Sequence, residues 1–207
     1  MSDLEDFALL EAWRGGDRKA GERLFDRHFA AVQRFFRNKV SDGVEDLVQQ
    51  TFLACVESQE RFRGDAKFRT FLLGIANNVL RNHFRRRSRK EGKLDFGTFS
   101  VHDLQPGAAT MVAKQREQQL LADALRMLPV DDQVILELYY WEELKAREIA
   151  EVVGMTEANV RNRLRRSKIS LEAKIVEMAS SPDLSRRTVD GLDTWAAGLR
   201  KEVLGND

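Results

Sequence analysis

Cysteine is all but absent: Cys55 stands alone among 207 residues. A lone cysteine excludes an intrachain disulfide and a thiolate metal cluster. Its place inside an apolar helical pattern makes it a small core residue. Proline and tyrosine are nearly as scarce, at three and two residues, which argues against an all-β design. The three histidines, His28, His83 and His102, are far apart and lack the four-residue spacing of helical ligands, so no metal site is expected. No apolar run approaches membrane-spanning length, and membrane insertion is not expected. The N-terminal MSDLEDFALLEAW is acidic and has no basic segment ahead of an apolar run, unlike a signal peptide. The default expectation is a cytoplasmic location. The acidic pairs Glu45–Asp46 and Asp131–Asp132 stand at helix starts, where carboxylates suit the dipole. Nothing indicates a tuned acid–base pair in a cleft. With no glycine-rich phosphate loop either, neither an enzyme nor a cofactor is expected.

What is present is helix-forming and charged. Leu, Ala, Arg, Glu and Gln dominate, and these residues favour helices; apolar residues make up 43% and charged ones 32% of the chain. The charge nearly cancels, 34 Lys and Arg against 33 Asp and Glu, but it is segregated. The first eleven residues hold Asp3, Glu5, Asp6 and Glu11 without a base, while 81–93 and 161–168 are strongly basic. Segregation of this kind is a local electrostatic footprint. In NHFRRRSRK, residues 82–90, Arg85, Arg86, Arg87, Arg89 and Lys90 fill five of six positions. A helix dipole accounts for one or two cations in a last turn, not for five.

Apolar spacing of three and four predicts an all-α chain. Asp3 or Ser2 can cap a first helix that stops near RGGD. Asp17 can cap a second, with Ala20, Leu24, Phe25, Val32 and Phe36, ending near VSDG. A third starts near Val44 and carries Leu47, Phe52, Leu53 and Val56. After the loop RFRGDAKF a fourth runs from about Lys67 to Lys90, its inner face Phe68, Phe71, Leu72, Ile75, Ala76, Val79 and Leu80. Residues 1–90 thus form a four-helix unit. Residues 91–108, with glycines, a proline and no sustained period, are a flexible linker. Residues 109–175 are a second helical unit: one helix broken by Pro129, one from about Asp131, and two short ones near 144–153 and 156–173. In the extension, 176–207, SSPDLSRRTVDG is a turn or flexible joint. LDTWAAGLRKEVLG is a short amphipathic helix, which needs a surface of the protein itself or of a regulator.

The segment LKAREIAEVVGMTEANVRNRLRRSKISL predicts a helix-turn-helix. Gly154 makes the turn and Thr156 caps the second helix. Burying Val160, Leu164 and Leu171 points Arg161, Arg165 and Lys168 outward, flanked by Asn159, Asn162, Arg163 and Arg166. Such a face suits a major groove, with Arg pairing guanine, Asn pairing adenine, and further Arg holding phosphates. The fourth helix offers a second basic face with amides: Asn77, Asn78, Arg81, Asn82 and Arg85. The loop before it adds Phe62, expected to be an exposed aromatic, with Arg63 and Lys67. An aromatic beside cations is what an unstacked base requires. An operator-binding regulator would explain the terminal unit but not the first basic helix. A nucleic-acid enzyme would need clustered carboxylates or a His/Cys site. An RNA-binding adaptor remains open.

Three motifs in order resemble bacterial RNA polymerase sigma factors of the extracytoplasmic-function group: DLVQQTFLAC from Asp46 to Cys55, FLLGIANNVLRNHFRR from Phe71 to Arg86, and LPVDDQ followed by the helix-turn-helix. The likeness covers about residues 15–175. Phe71 stands where the family has Trp, Asn82 where it has Asp before the Arg pair, and Gln133 where it has Arg. The resemblance implies that Asp46, Gln49, Gln50 and Phe52 dock on the β′ clamp of core RNA polymerase, with the β flap a further contact. It implies that Phe62, Arg63, Asn78, Asn82, Arg85 and Arg86 bind and open the minus-ten element. Asn159, Arg161, Asn162, Arg163, Arg165 and Lys168 would read the minus-thirty-five element. The linker would thread polymerase near the RNA exit path, an anti-sigma factor would be a partner, and the inducing signal would be stress or the envelope. The free chain should bind duplex DNA poorly.

Overall fold

The computed structural model describes residues 3–37, 39–40, 42–62, 64, 67–91 and 113–192. Among them are nine α-helices, one 3-10 turn and no strand. The helices fall into two compact units, the first mainly from residues 1–94 and the second mainly from 95–207.

The first unit holds α1 (Asp3–Arg14), α2 (Arg18–Arg37), α3 (Val44–Ser58), a 3-10 turn (Gln59–Arg61) and α4 (Phe68–Glu91). Asp17 caps α2 as expected: its Oδ1 accepts from the backbone N–H of Lys19 at 3.0 Å and Ala20 at 3.3 Å. α2 packs against α1, α3 and α4, and α3 packs against α4. Leu10, Leu24, Val32, Phe36, Leu47, Cys55, Leu72 and Leu80 form the dry centre. α1 meets α2 closely at Gly21, where a Cβ would lie 2.8 Å from the Trp13 ring. The acidic start of α1 is used inside the unit. Buried Asp6 accepts from Arg27 Nε at 2.9 Å and lies 2.8 Å from His28 Nε2. Arg14 donates to the carbonyls of Gln59 and, at 2.6 Å, Phe62, which pins the 3-10 turn to α1.

The second unit holds α5 (Ala113–Arg126), α6 (Val130–Tyr140), α8 (Glu157–Met178) and α9 (Pro182–Asp190), together with α7 (Ala146–Val153) as far as Ala150. α8 packs against α5, α6 and α9, and α5 also against α9. Gln133 is buried and donates through Nε2 to the Leu128 carbonyl at 2.8 Å. It thereby satisfies a backbone group at the turn into α6.

Two boundaries differ from the sequence expectations. α8 continues to Met178, because Leu171 and Ile175 keep its buried face going. Residues 182–190 are a helix, not a joint: Ser181 Oγ accepts from Leu184 N at 3.2 Å and Pro182 opens the first turn. The buried face of α9 includes Ser185 and Thr188, and Thr188 Oγ1 donates to the Leu184 carbonyl at 2.8 Å. Small hydroxyl residues that satisfy themselves in this way can be buried while reading as polar. Residues 92–112, which include all but the first residue of the expected linker 91–108, and the amphipathic stretch after Leu192 lie outside the described residues.

Candidate nucleic-acid interface

Between α7 and α8 the turn is set by Gly154, at φ +69°, a left-handed conformation that costs glycine little. Thr156 then caps α8, its Oγ1 accepting from Asn159 N at 3.3 Å. Val160, Leu164, Ser167, Leu171 and Ile175 are buried. That face decides the rest: Asn159, Arg161, Asn162, Arg165 and Arg166 are exposed. Met155, Asn159, Asn162, Arg163, Arg165 and Arg166 line an open hollow of about 460 Å³. Arg166, though noted as a flanking cation, stands outside the expected reading set; its place four residues after Asn162 is the signal that could have added it.

Three cations of the expected set have protein partners. Arg161 pairs with Glu157 one turn back on the exposed surface. Lys168 has its Nζ 4.2 Å above the Tyr139 ring and 4.9 Å from the Tyr140 ring, so part of its charge faces α6. Arg163 is held across helices: Nε donates to Asp132 Oδ1 at 2.6 Å and Nη1 to Asp131 Oδ2 at 3.4 Å.

In the first unit α4 buries Phe68, Leu72, Leu73, Ala76, Leu80 and Phe84. Asn78, Asn82, Arg85, Arg86 and Arg89 are exposed, and spacings of four, three and four place Asn78, Asn82, Arg85 and Arg89 on one stripe. Arg85 Nη1 donates to Asn82 Oδ1 at 3.3 Å, so amide and guanidinium form one polar surface. Phe62 departs from expectation. It is buried, with its ring 5.8 Å from Phe68 and 5.1 Å from Phe71. The Arg14 contact to its carbonyl holds the backbone while the ring completes an aromatic cluster, so it is no open stacking platform. Arg63 lies outside the described residues.

On α3, Leu47, Val48, Thr51 and Cys55 face inward. Asp46, Gln49 and Gln50 are exposed, and beside them stand Leu53 at 56% and Val56 at 43% exposure. Their apolar character suggested the core, but they lie opposite the buried set. Phe52 is half-buried in an aromatic row, 4.6 Å from Phe25 and 6.3 Å from Phe29.

Comparison with known proteins agrees with this arrangement. Sigma-70 region 2 matches residues 24–90, and sigma-70 region 4 matches residues 118–171. The ECF RNA polymerase sigma-E factor of Escherichia coli (strain K12) is 28% identical over 181 residues, covering 83% of this chain and 95% of that protein. That of Haemophilus influenzae is 29% identical over 181 residues, covering 83% and 96%. Among solved structures, CnrH in complex with the cytosolic domain of CnrY superposes with a TM-score of 0.59 at 24% identity, covering 84% of this chain and 99% of that one. The sigma factor RpoE in complex with the anti-sigma factor NepR from Bartonella quintana gives 0.58 at 20% identity, covering 76% and 96%. The two structures carry the fold; the two family regions, in order on one chain, carry the kinship. The chain belongs to the sigma-70 family of RNA polymerase sigma factors, in its extracytoplasmic-function group, whose members direct promoter-specific initiation of transcription.

Proposed function

We propose that the chain joins core RNA polymerase through the outer face of α3, with Asp46, Gln49 and Gln50 as polar contacts and Leu53 and Val56 as apolar ones. The α4 stripe with Asn78, Asn82 and Arg85, and Arg86 beside it, engages and opens the minus-ten element. The exposed face of α8, with Asn159, Arg161, Asn162, Arg165 and Arg166, enters the major groove of the minus-thirty-five element. The division of labour follows the two units: residues 1–90 for polymerase and the minus-ten element, 109–175 for the minus-thirty-five element, the stretch between them as connector. The observation that carries this reading is the repeated design of the two helices. Each has one face anchored in its unit and the other covered with exposed Arg and Asn, the residues suited to phosphates and base edges.

Catalysis on this reading belongs to the polymerase, and the protein acts in the cytoplasm where the polymerase is. An anti-sigma factor is the expected regulator, in keeping with the RpoE–NepR complex among its structural relatives, and stress or an envelope signal the expected trigger. The test is reconstitution: the full chain with core polymerase and a library of duplexes randomised over both promoter elements. Initiation that depends on the chain and enriches defined sequences supports the reading. Tight binding of the chain alone to duplex DNA, with no effect on polymerase, would replace it with an operator-binding regulator.

A further inference from the structure

Arg163 sits among the cations of α8, yet its surroundings give it a different task from theirs. Its guanidinium meets two consecutive carboxylates in the first turn of α6, at 2.6 Å (Asp132) and 3.4 Å (Asp131). Exposures of 23% for Arg163, 25% for Asp131 and 18% for Asp132 make the group part-buried. In the same turn of α8, Ser167 Oγ donates to the Arg163 carbonyl at 2.9 Å. The hollow lined by Asn159, Asn162, Arg165 and Arg166 has Arg163 in its wall.

A surface that only attracted phosphate would do better without Asp131 and Asp132, because two carboxylates beside it repel the same phosphates. Their place in the first turn of α6 suits the helix dipole, and their contacts with Arg163 give them a second use. The guanidinium is planar, and a short contact at Nε with a longer one at Nη1, on two different sides of it, restrains the orientation of that plane. A base-reading helix needs this. A roll of about 10° at a helix radius of about 5 Å moves side-chain tips by roughly 1 Å, more than the roughly 0.5 Å tolerance of a working site. We propose that Arg163, Asp131 and Asp132 form a latch between α8 and α6 that fixes the roll and depth of the recognition helix. Arg163 is then a positioning residue and contacts neither base nor phosphate. The proposal rests on the reading that α8 enters the groove.

The test uses the full chain bound to core polymerase. The probes are a duplex promoter selected by the native holoenzyme from a library randomised over the minus-thirty-five box, and the same duplex with that box scrambled. D131N/D132N keeps both shapes and removes both charges. Simple electrostatics predicts stronger binding for this variant. The latch predicts that the ratio of affinities, selected over scrambled, falls about tenfold, the weight of one well-placed base contact, while scrambled-duplex affinity holds or rises. R163K, which keeps the charge and loses the fork, falls alike, and the triple variant R163K/D131N/D132N falls no further. R163Q leaves the salt dependence of binding unchanged, where loss of a phosphate contact would make the slope shallower by about one. Selected-duplex binding by D131N/D132N at or above the native level overturns the latch. So does a loss in R163Q shared equally by both duplexes with a shallower slope, or a loss that merely follows a fall in melting temperature. Failure of the native holoenzyme to select any box is a different failure, that of the promoter-reading proposal itself.

Discussion

His28 lies 2.8 Å from the Asp6 carboxylate with little solvent around either group, 2% and 7% exposed as side chains. Two effects oppose each other there. Burial disfavours the imidazolium, and the Asp6 charge and hydrogen bond favour it; burial is the larger, and the pKa lies below its ordinary 6.5. Arg69 and Arg27 push the same way as burial. His83 is also lowered, first by desolvation and then by Arg87, against Asp42. The sign for stability follows. As pH falls through about 6.5 the unfolded chain takes up protons that these folded histidines resist, so stability is present above that value and lost below it. The unfolding free energy should therefore fall between about pH 7.5 and about pH 5.5, and His28→Gln should remove part of that slope and leave the His83 part. Urea unfolding at a series of pH values checks this; stability that rises on acidification in this window contradicts it. None of this was readable from the sequence, where His28 is one polar position among apolar neighbours and Asp6 looks like part of an acidic surface. Pairing across two helices has no signature in either helix alone.

Helices are where the sequence spoke most clearly. Asp17 and Thr156 are both side-chain oxygens just before an amphipathic period, and both cap the helices expected of them. The buried faces of α2, α4 and α8 follow the three-and-four spacing of their apolar residues. Where the reading failed, hydropathy and burial part company. Leu53 and Val56 are apolar and exposed, because that face of α3 is not packed inside its own unit; Phe62 is in a loop and buried, because an aromatic cluster receives it. α9 was missed for the opposite reason. Its start, Ser181–Pro182, is as good a helix opening as it is a turn, and its inward residues are hydroxyls. α9 packs against α5 and α8, and Arg187 Nε lies 3.1 Å from Glu117 of α5. Ser181→Ala should loosen α9 by about 1 kcal/mol. Amide hydrogen exchange over residues 185–190 should accelerate several-fold while α6 keeps its protection. Unchanged exchange would mean that the cap does not hold this helix.

At the scale of the whole molecule the near-balance of 34 basic and 33 acidic residues conceals its distribution. Part of the acid is consumed internally, by Asp6 against Arg27 and by Asp131 and Asp132 against Arg163. The cations at Arg85, Arg86, Arg89, Arg165 and Arg166 are left exposed on two helices of different units. The run of arginines and the helix-turn-helix were both visible as composition and period. Which arginine stays exposed and which is held by protein was not, since Arg161, Arg163, Arg165 and Arg166 differ only in what the fold sets beside them.

The central claim is that these two faces act on separate stretches of one promoter once polymerase holds the chain. The direct measurement is footprinting of the reconstituted holoenzyme, read as upstream protection and as permanganate-reactive thymines at the minus-ten element. R161A/R165A should lose upstream protection and still initiate on a duplex already unpaired at the minus-ten element. N82A/R85A should keep upstream protection and lose the reactive thymines. Both variants giving the native pattern at both elements would contradict the account.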